Sequence, residues 1–145
     1  MTWSSLPDTN NHTPSNHIIS KTCPFCLDQS SDQVVHWGRH NFIMHTNDPV
    51  LVGSLMILPI EHRETVFDLT PEEWDEAQEL LARAKELIDA EVSPDGYSVG
   101  WNVGGVGGQT IPHVHLHVIP RHVDEPLAGK GIRAHIKQPT NRRPS

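Results

Sequence analysis

Histidine alternates with aliphatic residues at positions 113–119, which read HVHLHVI. Successive side chains of a β-strand point to opposite faces, so this spacing predicts a strand with three imidazoles on one face. A row of imidazoles adds little to a core. It can bind a metal, hold an anion, or supply a nucleophile and a proton donor in one place. The pattern therefore predicts a half-buried strand whose histidines form a metal-binding, anion-binding or catalytic site.

The residues just before this strand form a glycine-rich loop, GGVGGQTIP over 104–112. Glycines let backbone N–H groups approach an anion, and Gln109 and Thr110 add side-chain donors. Attack of an imidazole on phosphorus needs such donors, because the phosphoryl oxygens must be held while the nitrogen attacks in line. Two alternatives are solvent-facing histidines and a cupin-type metal site. The cupin pattern places a glutamate a few residues after HxH, whereas the next one here is Glu125.

The rest of the chain predicts four more strands and one helix. Short apolar or β-branched runs favour strands at 33–37, 41–46, 54–59 and 97–103. Thr70, Pro71 and Glu73 form an N-cap, a first-turn proline and a capping-box acid, and the SPDG turn at 93–96 ends the helix. The helix carries one apolar stripe: Trp74, Ala77, Leu81, Ala84 and Ile88. This order predicts an α+β fold, with the helix packed on a mostly antiparallel sheet.

Length and charge limit the architecture and the partners. A chain of 145 residues suits one domain, which we expect over 21–137, with a disordered tail over 1–20 and a flexible tail over 138–145. The net charge of −7 argues against binding a nucleic acid polymer, although a small nucleotide needs only a local site. No apolar run is long enough for a membrane span and no secretory signal pattern is present, so we expect a cytoplasmic protein.

The two cysteines, Cys23 and Cys26, have CxxC spacing, which suits a metal site or thiol chemistry in a reducing compartment. A glutaredoxin-like site would need a helix directly after them and the later half of a thioredoxin-like fold. Neither pattern follows in this sequence. A structural zinc would need two more ligands, and two free buried thiols are the third alternative.

Taken together, GGQTIPHVHLHVIPR over 107–121 resembles the motif of the histidine triad (HIT) family, in which three histidines alternate with hydrophobic residues. The likeness extends upstream to CPFC, SLMILPIEH and the Asn102 region, and downstream to PLAGKGIRAHI, so it covers 23–136. The resemblance implies a HIT-like fold in a homodimer that shares an extended sheet. It also implies a nucleotide hydrolase or transferase acting at the α-phosphorus of dinucleoside polyphosphates, nucleoside phosphoramidates or related conjugates, with release of a nucleoside monophosphate. A nucleotide-binding module with little turnover is the alternative.

The same resemblance assigns roles by position. It makes His115 the nucleophile that forms a nucleotidyl-histidine intermediate, with its second ring nitrogen held by a backbone carbonyl. It makes His117 a contact to the phosphate or the bridging atom. Residues that would hold phosphate or ribose oxygens of a nucleotide, which we expect to be a purine nucleotide, are Asn102, Gly108, Gln109 and Thr110.

In a zinc-binding branch of the family, the positions of Cys23, Cys26, His62 and His113 hold a structural zinc, and all four residues are present here. Two positions depart from the family pattern. Many members have a Gly-His pair where this chain has Gly53-Ser54, and serine cannot act as a cationic donor. Members often carry an aspartate for the ribose hydroxyls where this chain has Thr46-Asn47-Asp48.

Overall fold

The computed structural model describes residues 18–27 and 31–144. Most of the tail expected over 1–20 lies outside the described residues. Its last residues are bonded to the domain: the N–H of His62 donates to the carbonyl of Ile18, and the N–H of Ser20 donates to Sγ of Cys26 at 3.2 Å. Within the described ranges, no helix combines the length and apolarity needed to cross a bilayer.

The fold is a five-stranded sheet with one long helix, as the α+β prediction required. The strands are β1 Val34–Trp37, β2 Asn41–His45, β3 Leu55–Pro59, β4 Gly96–Trp101 and β5 Leu116–Arg121. All neighbouring strands are antiparallel, in the order β1-β2-β3-β5-β4. The helices are α1 Pro71–Val92 and the short α2 Ile132–Ile136, with 3-10 turns at Ser31–Gln33, Val66–Asp68 and Pro139–Asn141.

Helix α1 begins with the predicted capping box. The hydroxyl of Thr70 accepts from the N–H of Glu73 at 3.1 Å, and the Glu73 carboxylate accepts from the N–H of Thr70 at 2.8 Å. The predicted apolar stripe is rotated slightly, because Leu80 is fully buried in place of Leu81. Trp74 is 43% exposed and stacks on Trp101.

Both faces of the sheet are covered by apolar layers. The α1 side contains Ile43, Leu55, Ile57, Leu80, Ala84, Ile88, Leu116 and Val118. The opposite side contains Trp37, Phe42, Met44, Met56, Leu58 and Ile60, with Phe25, Leu27 and Val34 packed against them. All five residues of β3 are buried, which accounts for its uninterrupted apolar sequence.

The histidine segment differs from the predicted strand over 113–119, since β5 begins only at Leu116. The residues before it bond elsewhere: the N–H of Val114 donates to the carbonyl of Arg63 at 2.8 Å, on the segment that follows β3. His117 therefore lies in the strand, whereas His113 and His115 lie in the segment that leads into it.

Candidate active site and metal centre

The imidazole of His115 is held by the backbone two residues earlier. Its Nδ1 lies 2.9 Å from the carbonyl oxygen of His113. A carbonyl can only accept, so Nδ1 must carry the proton, and in the neutral ring Nε2 then keeps its lone pair. This is the hydrogen bond that the family resemblance implied. The side chain is 7% exposed, so a nucleophilic nitrogen is held at a largely buried position.

His117 lies beside His115 on the same side of the sheet. In the ladder it is paired with Met56 on β3 and Gly100 on β4, and its ring centroid lies 4.7 Å from that of His115 at an interplanar angle of 75°. Burial lowers the pKa of His117, and the neighbouring His115 lowers it further. His117 therefore stays neutral to a lower pH than an exposed histidine, and it can exchange a proton with a group bound near His115.

The glycine loop is folded tightly at the end of β4. A Cβ on Gly107 would lie 2.2 Å from the carbonyl oxygen of Val103, so only glycine fits. Gly108 has φ +97, and a Cβ there would lie 3.5–3.7 Å from the Asn102 side chain. Asn102 and Gly108, both predicted substrate contacts, are thus neighbours. Asn102 directly follows the last residue of β4, and Gly100, two residues earlier, is paired with His117.

The side chain of Gln109 stabilises this loop by hydrogen bonds to its backbone. Its Oε1 accepts from the N–H of Gly104 at 2.9 Å, and its Nε2 donates to the carbonyls of Ile111, at 3.1 Å, and Glu64. The amide is therefore engaged with the backbone on both sides. Thr110, next along the chain, is exposed. In this conformation Thr110 is the one of the two that is open to a ligand, while Gln109 fixes the loop that would surround it.

The four residues expected to bind zinc lie together. Nδ1 of His113 is 3.4 Å from Sγ of Cys23 and 3.9 Å from Sγ of Cys26, and Nδ1 of His62 is 3.5 Å from Sγ of Cys26. No two of the four ligand atoms are more than 4.8 Å apart. Both cysteines and His113 are buried, at 4%, 0% and 0% exposure.

The protonation of His113 suits a metal ligand. Its Nε2 lies 3.0 Å from the carbonyl of Pro59 and must donate to it, which leaves Nδ1 unprotonated and facing the thiols. Burial lowers the pKa of His113 to about 4. Zinc bonds of about 2.3 Å to sulfur and 2.0–2.1 Å to nitrogen would bring tetrahedral ligand atoms to about 3.3–3.8 Å of one another. The arrangement therefore fits a four-ligand zinc site with no open position.

Two side chains on the histidine side were not predicted as site residues. The ring of Phe25, between the two cysteines in sequence, lies 5.2 Å from the ring of His115 and 6.3 Å from that of His113. Ser54 is 2% exposed, and within the described part of the chain its hydroxyl has no hydrogen-bond partner. The sequence signal that could have identified Phe25 as a site residue is its position inside CPFC, because the candidate metal ligands on both sides restrict the placement of its ring.

These features define a class: an α+β protein in which an antiparallel sheet presents a row of histidines beside a glycine loop and a Cys₂His₂ cluster. The family is given by comparison with known proteins. The model of the HIT domain matches residues 28–124, and the chain belongs to this family.

Two curated relatives and one solved structure illustrate the likeness. The bis(5'-nucleosyl)-tetraphosphatase [asymmetrical] of Schizosaccharomyces pombe is 33% identical over 73 residues, covering 50% of this chain and 40% of the relative. The bis(5'-adenosyl)-triphosphatase of Dictyostelium discoideum is 32% identical over 98 residues, covering 68% of this chain and 64% of the relative. The chain thus spans less than two thirds of either relative. The crystal structure of a HIT family protein from Bacillus anthracis is 28% identical, with a TM-score of 0.65, covering 73% of this chain and 77% of that one.

Proposed function

We propose that this chain is a nucleotide hydrolase that cleaves dinucleoside polyphosphates at the α-phosphorus. The observation that carries the proposal is the hydrogen bond from Nδ1 of His115 to the carbonyl of His113, because it leaves Nε2 free to attack. The relatives named for hydrolysis of dinucleoside tetra- and triphosphates support the substrate class. Nucleoside phosphoramidates, which present the same phosphorus with a nitrogen leaving group, are a second substrate class.

The reaction has two steps. Nε2 of His115 attacks the α-phosphorus, a nitrogen–phosphorus bond forms, and the bond to the bridging oxygen breaks, so that the second nucleotide leaves with its remaining phosphates. The leaving group departs as a terminal phosphate oxyanion, which needs no added proton, and His117, 4.7 Å away between ring centroids, can donate a hydrogen bond to it. Water then attacks the nucleotidyl-histidine and gives one proton to neutral His117, which passes it to solvent. The nitrogen–phosphorus bond breaks, and the nucleoside monophosphate is released with His115 restored.

The remaining side chains bind and orient the substrate. Asn102 and Thr110 are the side-chain donors for phosphate or ribose oxygens, and Gly108 allows close approach of the backbone to an anion. Gln109 acts by holding the loop in shape. A zinc ion on Cys23, Cys26, His62 and His113 would supply structural cross-linking, since four protein ligands leave no position for substrate.

The test compares wild type with His115→Asn in single-turnover reactions on α-phosphorus-labelled diadenosine tetraphosphate. We expect wild type to trap label on protein after alkaline quench and His115→Asn to lose both the adduct and turnover. The matched control is His40→Asn, which changes an exposed histidine. Equal turnover in wild type and His115→Asn would exclude the nucleophile. Running diuridine tetraphosphate and an adenosine phosphoramidate in parallel tests the expected purine preference and the leaving group.

The second candidate function is a nucleotide-binding module with little turnover. It is favoured by Ser54, which occupies a position where many HIT family members have histidine. In that case wild type and His115→Asn would bind adenosine monophosphate with equal affinity, measured by calorimetry, and neither would release product in excess of a buffer blank.

We also propose a homodimer built across β4. Among the described residues β4 pairs with β5 alone, so its outer edge is open. Val99 on this edge is 48% exposed and lines an apolar groove with Leu81, Ala82 and Tyr97. Light scattering after size exclusion should give twice the monomer mass for wild type and the monomer mass for Val99→Lys. A monomeric wild type at 100-fold different loading concentrations would exclude the dimer.

A further inference from the structure

The ring of Phe25 is placed by the cysteines on both sides of it. The turn is closed by the N–H of Cys26, which donates to the carbonyl of Cys23 at 3.4 Å, and by the N–H of Phe25, which donates to Sγ of Cys23 at 3.4 Å. The two sulfur atoms belong to the buried Cys₂His₂ cluster. The side chain is half-buried and packs against the apolar layer that includes Met44 and Met56. The backbone of Phe25 is thus tied to the cysteine turn, and its ring is packed against the apolar layer.

This ring meets the imidazole of His115 edge-on. The centroids are 5.2 Å apart and the planes are inclined at 72°, within the range in which aromatic pairs attract each other. The contact to His113 is longer, at 6.3 Å and 85°. Phe25 thus lies against the proposed nucleophile more closely than against the metal-site histidine beside it.

The hydrogen bond to His113 fixes one atom of the His115 ring, Nδ1. The covalent link to Cβ still allows small rotations about χ1 and χ2, and these displace Nε2, the atom that must meet phosphorus in line. Two neighbouring rings limit these rotations: the ring centroid of His117 lies 4.7 Å from that of His115, and the centroid of Phe25 lies 5.2 Å from it. A displacement of about 1 Å at a reacting atom can cost about 100-fold in rate.

We propose that Phe25 is a positioning residue for His115, and that the Cys23–Cys26 turn serves the reaction by holding Phe25 against the nucleophile. The proposal rests on the proposed function, in which His115 attacks phosphorus. It assigns the CPFC segment a part in catalysis beyond cross-linking the chain. It makes the formation of the nucleotidyl-histidine, and not substrate binding, the step that depends on Phe25.

The experiment compares Phe25→Leu, Phe25→Tyr and wild type, each assayed for metal content, steady-state kinetics and single-turnover adduct formation with diadenosine tetraphosphate. We expect Phe25→Leu to keep its metal, to lower kcat and the rate of adduct formation at least tenfold, and to change KM less than twofold. Phe25→Tyr, which retains the ring, should recover kcat to within threefold of wild type. The matched control is Phe42→Leu: Phe42 lies in the same apolar layer, but its ring contacts Trp37 at 5.1 Å. This control should lose stability without the tenfold loss in kcat.

A spectroscopic readout separates positioning from general damage. In protein labelled with ¹⁵N at histidine, wild-type His115 should appear as a single Nδ1–H tautomer, and Phe25→Leu should show a mixture or exchange-broadened signals. A raised KM with unchanged kcat in Phe25→Leu would overturn the proposal and make Phe25 a substrate contact. Unchanged kinetics would also overturn it. Full activity of His115→Asn would instead refute the proposed function itself, so the two failures are distinguishable.

Discussion

The carboxylate of Glu76 on α1 accepts a hydrogen bond from the backbone N–H of Asn41 at 2.7 Å, joining the helix to the start of β2. It also accepts from the N–H groups of Arg39 and His40, at 2.8 and 2.9 Å. Glu76 is 6% exposed, and the turn passes so close that a Cβ on Gly38 would lie 2.5 Å from its Oε1. One buried carboxylate therefore accepts from three successive backbone N–H groups where the chain turns from β1 into β2.

Replacing Glu76 should destabilise the protein strongly. Glu76→Ala leaves the buried N–H of Asn41 and the part-buried N–H groups of Arg39 and His40 without their acceptor, and an unsatisfied buried donor costs about 1–3 kcal/mol. We expect the free energy of unfolding in urea to fall by about 3 kcal/mol or more. The control is Glu79→Ala on the exposed side of α1, which should stay within about 0.5 kcal/mol of wild type. A loss as small in Glu76→Ala as in this control would mean that water replaces the carboxylate.

The metal site should hold one zinc per chain and contribute to stability. Cys26 is fully buried, and its sulfur accepts a hydrogen bond from the N–H of Ser20. Cys26→Ser should lower the metal content, measured by elemental analysis, from one ion to none, and should lower the thermal midpoint because metal binding contributes folding free energy. His40→Gln, at an exposed position, should keep the ion. Metal-free wild type that is as stable as the purified protein would contradict this prediction.

Acid should destabilise the fold through His36 on β1. Burial lowers its pKa below 6.5, and the nearby Arg83 lowers it further, against a smaller raising effect of Glu76. As pH falls through 6.5, His36 is therefore protonated in the unfolded chain before it is protonated in the folded protein. The free energy of unfolding declines from this pH down to the pKa of His36 in the folded protein. The free energy of unfolding should drop less between pH 7 and pH 5 in His36→Gln than in wild type. His113 and His117, whose pKa values are also lowered, contribute with the same sign in both proteins. Parallel pH curves for the two proteins would contradict the prediction.

Removing the hydroxyl of Thr46 and removing that of Ser54 should have different effects on the free energy of unfolding. The Thr46 hydroxyl donates to the carbonyl of Ser54 at 2.8 Å, whereas the buried Ser54 hydroxyl has no partner among the described residues. Thr46→Ala should cost about 1 kcal/mol of unfolding free energy. Ser54→Ala should be neutral or slightly stabilising, since it removes an unsatisfied buried group. A larger loss for Ser54→Ala than for Thr46→Ala would indicate a bound water on the Ser54 hydroxyl.

Much of the fold follows from local patterns. Short apolar or β-branched runs and the histidine alternation identified the sheet strands, and Thr70 with Glu73 fixed the start of α1. Capping and strand burial leave these signals because they depend on residues close in sequence. The start of β5 was wrong by three residues, since the bond from Val114 to the Arg63 carbonyl joins segments that are distant in the chain. Glu76 was missed for the same reason: its acceptors serve a turn more than 30 residues away.

The sequence also predicted some features of the candidate site and missed others. The family motif named His115 and the four metal-site residues, which the structure brings within reach of each other. It did not reveal that the Gln109 amide is engaged within its own loop, or that Phe25 touches His115, because both depend on side-chain packing. The cytoplasmic location and the roles of the individual site residues stay predictions.

Trp74 stacks on Trp101, with ring centroids 5.4 Å apart and planes inclined by 15°. This pair is an intrinsic spectroscopic probe. Two indoles this close couple electronically, so their circular dichroism and emission depend on their mutual orientation. Trp101 directly precedes Asn102 and the glycine loop, while Trp74 is fixed in the first turn of α1. A rearrangement of the loop that moves Trp101 changes this coupling, so circular dichroism tests, without a label, whether adding the proposed nucleotide substrate moves the loop.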